Sequence, residues 1–309
     1  ASRLVAEHDV VHLHLPQFDA AGIALRGRLM GKPTVLTYHC DLIMPPGLIS
    51  ITANQAVHLM NHLAARFTHK IVTYTRDYAE NSQFLRHYLD KLDTILPPVE
   101  LPPVSDAETA QFALENNPEN RRPVIGMAAR FATEKGVEVL INALPEVLKK
   151  FPNALVQFAG PYQNIIGEEQ YYAKLSPMID GYISSGNWRF LGVLSPERMA
   201  QFYRNIDVLV LPSLNSTEAF GLVQIEAMMN SVPCIASNLP GVRQPVLRHK
   251  MGRVIPIGDA GALAQAVTEL IAEKKEYGST PKALRELYAP DTIAQEYEQL
   301  FERIKTEIN

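Results

Sequence analysis

Ten short runs rich in β-branched and other apolar residues recur along the chain, at residues 9–14, 34–38, 70–74, 93–96, 124–129, 154–159, 187–191, 207–211, 233–236 and 253–256. Between most of them the apolar residues instead fall three and four apart, as in GVEVLINALPEVLKKF. A spacing of two or a continuous short run suits a strand, and a three-four spacing suits one face of a helix. Strands that alternate with helices are joined by crossovers, which makes the sheets parallel and covers both faces with helices. The chain is 309 residues long, enough for two such α/β domains.

The rhythm breaks once. The stretch PPVELPPVSDAETAQFALENNPENRRP, beginning at residue 97, is rich in proline, acids and asparagine, which places a domain junction near residues 97–122. The expected division is 1–118, 119–285, and a final helical segment 286–309 that packs back towards the first domain. Two parallel-sheet domains of this kind are expected to face a cleft at the carboxyl ends of their strands, where open α/β sheets bind ligands.

Charge and composition narrow the ligand. A formal net charge of −4 argues against a general nucleic-acid binder, which needs clustered positive charge. No apolar run reaches the roughly 20 residues of a membrane-spanning helix. The two cysteines, Cys40 and Cys234, have no metal-ligand spacing. Two thiols in so long a chain suggest a reducing, cytoplasmic setting, and Cys234 in VPCIAS suits a small buried apolar role. The opening ASRLVAEHDVVHLHLP has neither a start methionine nor the layout of a signal peptide. It runs from the tail of a helical pattern straight into a strand, so the first domain is expected to lack its opening elements.

Neither G-x-G-x-x-G nor G-x-x-x-x-G-K-[ST] occurs, which weakens dinucleotide and P-loop readings. What does occur is GMAARFATEKGVEVL, where a strand gives way to Arg130 and Lys135 and Gly136 opens a helix. Two cations beside a helix start can cradle a diphosphate through charge and helix-end N–H groups; solvated surface charge is the plain alternative. Further on, STEAFGLVQIEAMMNSVPCIAS holds Glu218 and Glu226 in an otherwise apolar segment. A helix beginning after AFGL would leave Glu218 just outside and Glu226 about two turns in. Gly221 at that start would let a ligand approach the backbone. Were both acids helical, about 12 Å of axis would separate them. That is too far for the ~5 Å carboxylate pair of a retaining glycosidase, but it suits a long ligand touched at two points.

These segments carry a resemblance. The E-x7-E pattern of Glu218 and Glu226, the Arg130/Lys135 pair in ARFATEKG, and GRVIPIGDAGALAQAV resemble the family-4, or group 1, retaining glycosyltransferases of the GT-B fold. The likeness covers nearly the whole chain and is strongest over 124–272. It implies that Glu226 binds the ribose hydroxyls of a UDP- or GDP-linked sugar and Glu218 the hydroxyls of the donor sugar. It also implies that the backbone of Phe220, Gly221 and Leu222 lies near sugar and diphosphate, and that Leu194 borders the base. Transfer to a hydroxyl on a lipid-linked, saccharide or small-molecule acceptor follows, with no metal or other cofactor. Rival readings are a non-catalytic nucleotide-sugar-binding module, or an epimerase or phosphorylase on the same fold.

In the first half, KPTVLTYHCDL sets His39 directly after a strand, and the resemblance implies that this histidine touches the donor sugar. His12 and His14 alternate on one strand, and His58 and His62 lie a helical turn apart, yet no third ligand or H-E-x-x-H pattern supports a metal. In DLIMPPGLISITANQAVHLMNHLAARFTHK, Val57, Met60, Leu63 and Phe67 form an apolar stripe opposite His58, His62, Arg66 and His69. Such a helix after an apolar loop could rest on an anionic membrane surface, peripheral at the inner face; an ordinary helix with one solvated side is the favoured reading. The family's glycine-rich loop near its first strand is absent, and LPPVELPP stands where an Asn-Gly turn is often found.

Overall fold

The computed structural model describes residues 1–42, 48–273 and 278–308, with no side-chain detail for 48–53. The apolar loop invoked above for a membrane surface falls at 43–47, outside the described residues. The chain forms two compact units. The first comprises Ala1–Pro98, Ser216–Phe220 and Tyr288–Asn309, and the second Val99–Asn215 and Gly221–Leu287.

Unit 1 is a four-stranded parallel sheet of β1 (Val11–Leu15), β2 (Thr34–Tyr38), β3 (Lys70–Thr73) and β4 (Leu92–Thr94), in the order β1-β2-β3-β4. The pleat sends alternate side chains to opposite faces. Leu36 and Ile71 enter the core built with Ala20, Ala21, Ala24, Ala64 and Ala65 of the crossover helices. Val35 and Val72 enter a separate core with Ile293, Leu300 and Ile304 of the last helix, Pro290–Ile308. Since the strand order never reverses, right-handed crossovers place their helices on one face, and the returning carboxyl-terminal helix covers the other.

The helix Leu48–Phe67 buries Val57, Asn61, Ala64 and Ala65, while Met60, Leu63 and Phe67 pack partly against the same core. His62 is half-buried rather than fully solvated. Its Nδ1 lies 2.8 Å from the Tyr88 hydroxyl and its ring packs edge-on against Phe84. The stripe therefore serves this unit's own core, and of the large apolar side chains described on the helix Leu59 is left exposed.

Unit 2 carries β5 (Val124–Ala128), β6 (Leu155–Ala159), β7 (Trp188–Gly192), β8 (Val208–Leu211), β9 (Cys234–Ser237) and β10 (Gly252–Ile255), all parallel, in the order β10-β9-β8-β5-β6-β7. β5, β6, β8 and β9 are buried along their whole length, which is why they read as continuous apolar runs rather than alternating ones. One face carries the helices Val137–Lys150, Glu169–Ser184 and Ala260–Ala272, whose Leu140, Leu144, Leu175, Leu263 and Val267 join a core with Ile125 and Phe158.

The division between units falls at Pro98/Val99 rather than at 118. The helix Asp106–Asn116, started by a Ser105/Glu108 capping box, packs on the helix Pro196–Asn205 of unit 2. There Arg198 lies over the Phe112 ring at 4.7 Å and pairs with Glu115. The second division, Leu287/Tyr288, lies close to the expected 285.

Candidate functional site

The strand order of unit 2 reverses once. From β5 the chain winds outward through β6 and β7, then returns to the other side of β5 and winds outward again through β8, β9 and β10. Loops leaving the carboxyl ends of β5 and β8 therefore part in opposite directions, and such a switch point is where open α/β sheets take a ligand. The sequence sets Arg130, Lys135 and Gly136 in the first of these loops, and Gly221 and Glu226 beyond the second.

The two loops are tied together. Leu214 N–H donates to the Glu134 carbonyl at 2.8 Å. Gly136 sits at φ 68°, and a Cβ there would lie 2.1 Å from the Pro212 carbonyl oxygen. Only glycine accommodates both that backbone region and that approach. The residues before it form a one-turn 3-10 helix, Thr133–Lys135, so Lys135 ends a turn and is half-buried. Arg130 is more than half exposed, and its guanidinium meets Glu134 at 2.5 Å. Its charge is thus shared with an acid four residues on.

After β8 the chain reaches Gly221 (φ 81°), which caps the helix Leu222–Met228. The expected reason for a glycine here was close ligand approach. The structure supplies another, since a Cβ would lie 2.4 Å from Leu211 Cδ2 and 2.7 Å from Gln224 Nε2. Leu222 is exposed, and Glu226 lies about one turn into the helix rather than two. Glu226 is half-buried, and its Oε2 accepts from the Tyr203 hydroxyl at 2.5 Å. No hydrogen bond among the described residues takes its other oxygen. Burial raises the Glu226 pKa, and the Tyr203 bond partly offsets that rise. Leu194 follows β7, two strands beyond β5 at the same end of the sheet, and is half-buried.

Glu218 and Phe220 belong to unit 1, and the chain passes to unit 2 between Phe220 and Gly221. Ala219 is buried in the helix-side core of unit 1, and the Ser216 carbonyl accepts from the Tyr78 hydroxyl at 3.0 Å. Phe220 is buried against Tyr74, with ring centroids 5.8 Å apart, and Tyr288, at 6.3 Å. Glu218 is half-buried.

His39 follows β2, where its backbone N–H continues the ladder to the Leu15 carbonyl at 3.1 Å. Its Nδ1 lies 2.5 Å from the Tyr74 hydroxyl and its Nε2 2.9 Å from His14 Nδ1. Tyr74 thus links His39 to Phe220. His12, next on the same strand face, bonds Thr37 Oγ1 at 2.8 Å, and that hydroxyl lies 2.9 Å from Tyr297. Burial, His14 and His39 push the His12 pKa down to about 4; burial and then His14 lower that of His39. Among the described residues no group of three or more His, Cys, Asp or Glu forms a metal set.

Sequence reasoning missed Tyr203, Tyr74 and the contact of His14 with His39. The His-x-His spacing on β1 was visible, and so was Glu134 four residues after Arg130. Tyr203 and Tyr74 carry no local signal, because each meets its partner from a distant part of the chain.

Comparison with known proteins gives this geometry a family. The glycosyl transferases group 1 profile matches residues 109–286, more than half of the chain. The chain belongs to that family. A phosphatidyl-myo-inositol mannosyltransferase of Mycolicibacterium smegmatis is 25% identical over 271 residues, covering 86% of this chain and 63% of that one. A 2-deoxystreptamine N-acetyl-D-glucosaminyltransferase of Streptomyces fradiae is 25% identical over 301 residues, 94% of this chain and 70% of that one. The crystal structure of Anabaena HepE in complex with UDP superposes with a TM-score of 0.74 at 20% identity, covering 98% of this chain and 80% of that one. Sucrose-phosphate synthase from Thermosynechococcus elongatus gives 0.74 at 21% identity, over 97% and 75%. The fold of this group 1 glycosyltransferase is that of the GT-B enzymes, with two parallel-sheet α/β units.

Proposed function

We propose that this glycosyltransferase moves a sugar from a UDP- or GDP-linked donor to a hydroxyl acceptor with retention of anomeric configuration, and that the donor's nucleotide rests at the β5/β8 switch point of unit 2. The observation that carries this reading is Glu226. A half-buried carboxylate sits there beside the switch point, one oxygen fixed by Tyr203 and the other taken by no protein group described. Vicinal ribose hydroxyls are donors suited to such an acceptor, and charge-assisted bonds of this kind are the strong ones.

Arg130 and Lys135 take the diphosphate, where negative charge grows as the sugar–phosphate bond breaks and preorganised cations act most strongly. The backbone at Phe220, Gly221 and Leu222 lies along sugar and diphosphate, Glu218 accepts from the donor sugar's hydroxyls, and Leu194 borders the base. His39 belongs to the donor-sugar end. No metal or other cofactor enters this scheme. The acceptor carries its hydroxyl on a saccharide, a lipid-linked sugar or a small molecule; relatives named for a phosphatidyl-inositol and for a deoxystreptamine bracket that range.

Labelled UDP- and GDP-sugars incubated with the chain, with and without hydroxyl acceptors, test the reading. Transfer of label to acceptor supports it. Isomerised sugar, or tight binding without transfer or hydrolysis, would replace it with an epimerase or a non-catalytic binder.

A further inference from the structure

One cavity of unit 1 is lined by no residue assigned above to donor or acceptor. It measures about 430 Å³, and around it stand His62 and Arg66 of the helix Leu48–Phe67 and His87, Tyr88, Asp90 and Lys91 of the segment before β4. That helix ends just before β3 begins at Lys70, and Lys91 immediately precedes β4. The cavity therefore lies towards the amino ends of the parallel strands, whereas His39 follows the carboxyl end of β2.

The charges around it are mostly positive and differ in how far they are committed. Lys91 Nζ donates to the carbonyls of Ala65, Arg66 and Thr68 at 3.2, 3.4 and 3.2 Å. Carbonyls at a helix end carry partial negative charge that would repel an anion, and the ammonium covers them. Arg66 is exposed, and among the described residues its guanidinium makes no hydrogen bond or ion pair. His62 stands one turn earlier on the same helix face. Its Nδ1 is held by the Tyr88 hydroxyl at 2.8 Å, and no hydrogen bond among the described residues takes its Nε2. The exposed His87 ring lies 5.9 Å from that of His62. The one acid among the described lining residues is Asp90, which is exposed and favours the charge on Lys91. The cations act against one another: burial, then His87 and His58, lower the His62 pKa, and burial, Arg28 and Arg66 lower that of Lys91.

We propose that this cavity binds a soluble phosphomonoester, its phosphate held between the Arg66 guanidinium and the imidazoles of His62 and His87, with Lys91 as a fixed charge behind them. A bound dianion relieves the repulsion among these groups, and the planar fork of arginine matches two phosphate oxygens. The volume falls in the range of small-molecule sites, so it takes an organic substituent along with the phosphate. A free phosphomonoester fits better than a lipid headgroup. The helix keeps Met60, Leu63 and Phe67 packed on the unit's own core, and of its described large apolar side chains it leaves Leu59 exposed to insert into lipid.

This site stands independently of the nucleotide-sugar reading, and the experiment keeps the two apart. Inorganic phosphate and glucose 6-phosphate are titrated into the full chain at constant ionic strength, followed by the ring NMR signals of His62 and His87. Both signals should shift together and saturate. Arg66→Ala removes an exposed side chain and spares the fold. It should weaken the response about tenfold or more, the loss of one charge-assisted contact. Arg66→Lys should recover part of it, keeping the charge without the fork. The response should persist in Lys135→Ala, which excludes the cations of unit 2 as its source. Vesicles of phosphatidylcholine with and without phosphatidic acid form the second arm. No saturable shift at His62 and His87, an unchanged response in Arg66→Ala, or its loss in Lys135→Ala overturns the inference. So does binding to phosphatidic acid vesicles with no response to either soluble phosphate.

Discussion

The Tyr203 hydroxyl donates to Glu226 Oε2 across 2.5 Å, joining the helix that leads into β8 to the helix that follows it. That bond holds the carboxylate in a place where burial disfavours its charge and raises its pKa. Burial of that charge counts against the folded state, as is common at functional positions.

Glu226→Gln should therefore separate affinity from stability. The amide oxygen can still accept from Tyr203, but it offers no charge to ribose hydroxyls. Nucleoside diphosphate affinity should fall by about 1.5–3 kcal/mol, read by calorimetry. Stability at neutral pH should rise by about 0.5–1 kcal/mol, the usual trade at functional positions. A carboxyl whose folded pKa is raised holds its proton longer in the fold than when unfolded. Its contribution to wild-type stability accordingly falls as pH climbs from the ordinary carboxylate value through the raised one. The variant should lack that fall. Unchanged affinity for UDP and GDP would remove Glu226 from the ribose site.

Lys135→Ala should weaken nucleoside diphosphate binding by about 1.5–3 kcal/mol, the worth of one charge-assisted contact, while leaving nucleoside binding nearly unchanged. Equal losses for uridine and UDP, or for guanosine and GDP, would show that Lys135 acts on the fold and not on the phosphates.

Gly136→Ala addresses the tie between the two loops. The new Cβ meets the Pro212 carbonyl, and φ 68° is strained for alanine. A loss of about 1–3 kcal/mol in stability is expected from the backbone term alone, seen as a lower denaturant midpoint with an unchanged slope. A variant as stable as the wild type would mean that the 133–136 turn yields readily and is a poor anion cradle.

Acid should act on unit 1 through its histidines. His12 is held neutral, with its pKa pushed from 6.5 down to about 4 by burial and by His14 and His39. Between those values the unfolded chain binds the extra proton and the folded one does not, so stability declines as pH falls from 6.5 towards 4. His12→Gln should flatten that decline. An identical pH profile for the variant would show that His12 is not the group responsible.

The strands were legible because β2, β5, β6, β8 and β9 are short, apolar and buried along their whole length, and burial on both faces leaves few other ways to read VIGMA, LVQFA or VLVL. Arg130, Lys135, Gly136 and Glu226 could be placed near a strand end or helix start for the same reason. What could not be read was decided by which sheet a segment packs on. The helix 106–116 looked like part of a linker region, yet Phe112 and Glu115 fasten it to Arg198. Ser216–Phe220 looked like a lead-in to the helix that follows, yet Ala219 and Phe220 are buried in unit 1. Tyr203 lies 23 residues from Glu226, and Tyr74 35 residues from His39, so neither pairing leaves a periodic trace.

Hydrogen exchange of the full chain, with and without saturating UDP and GDP, tests the central claim most directly. If the donor's nucleotide rests at the β5/β8 switch point, the better-binding nucleotide should slow exchange in two separate peptides, one spanning 129–137 and one spanning 212–226. Binding that leaves both unprotected and slows exchange elsewhere, such as at the amino ends of β6 and β7, would contradict it.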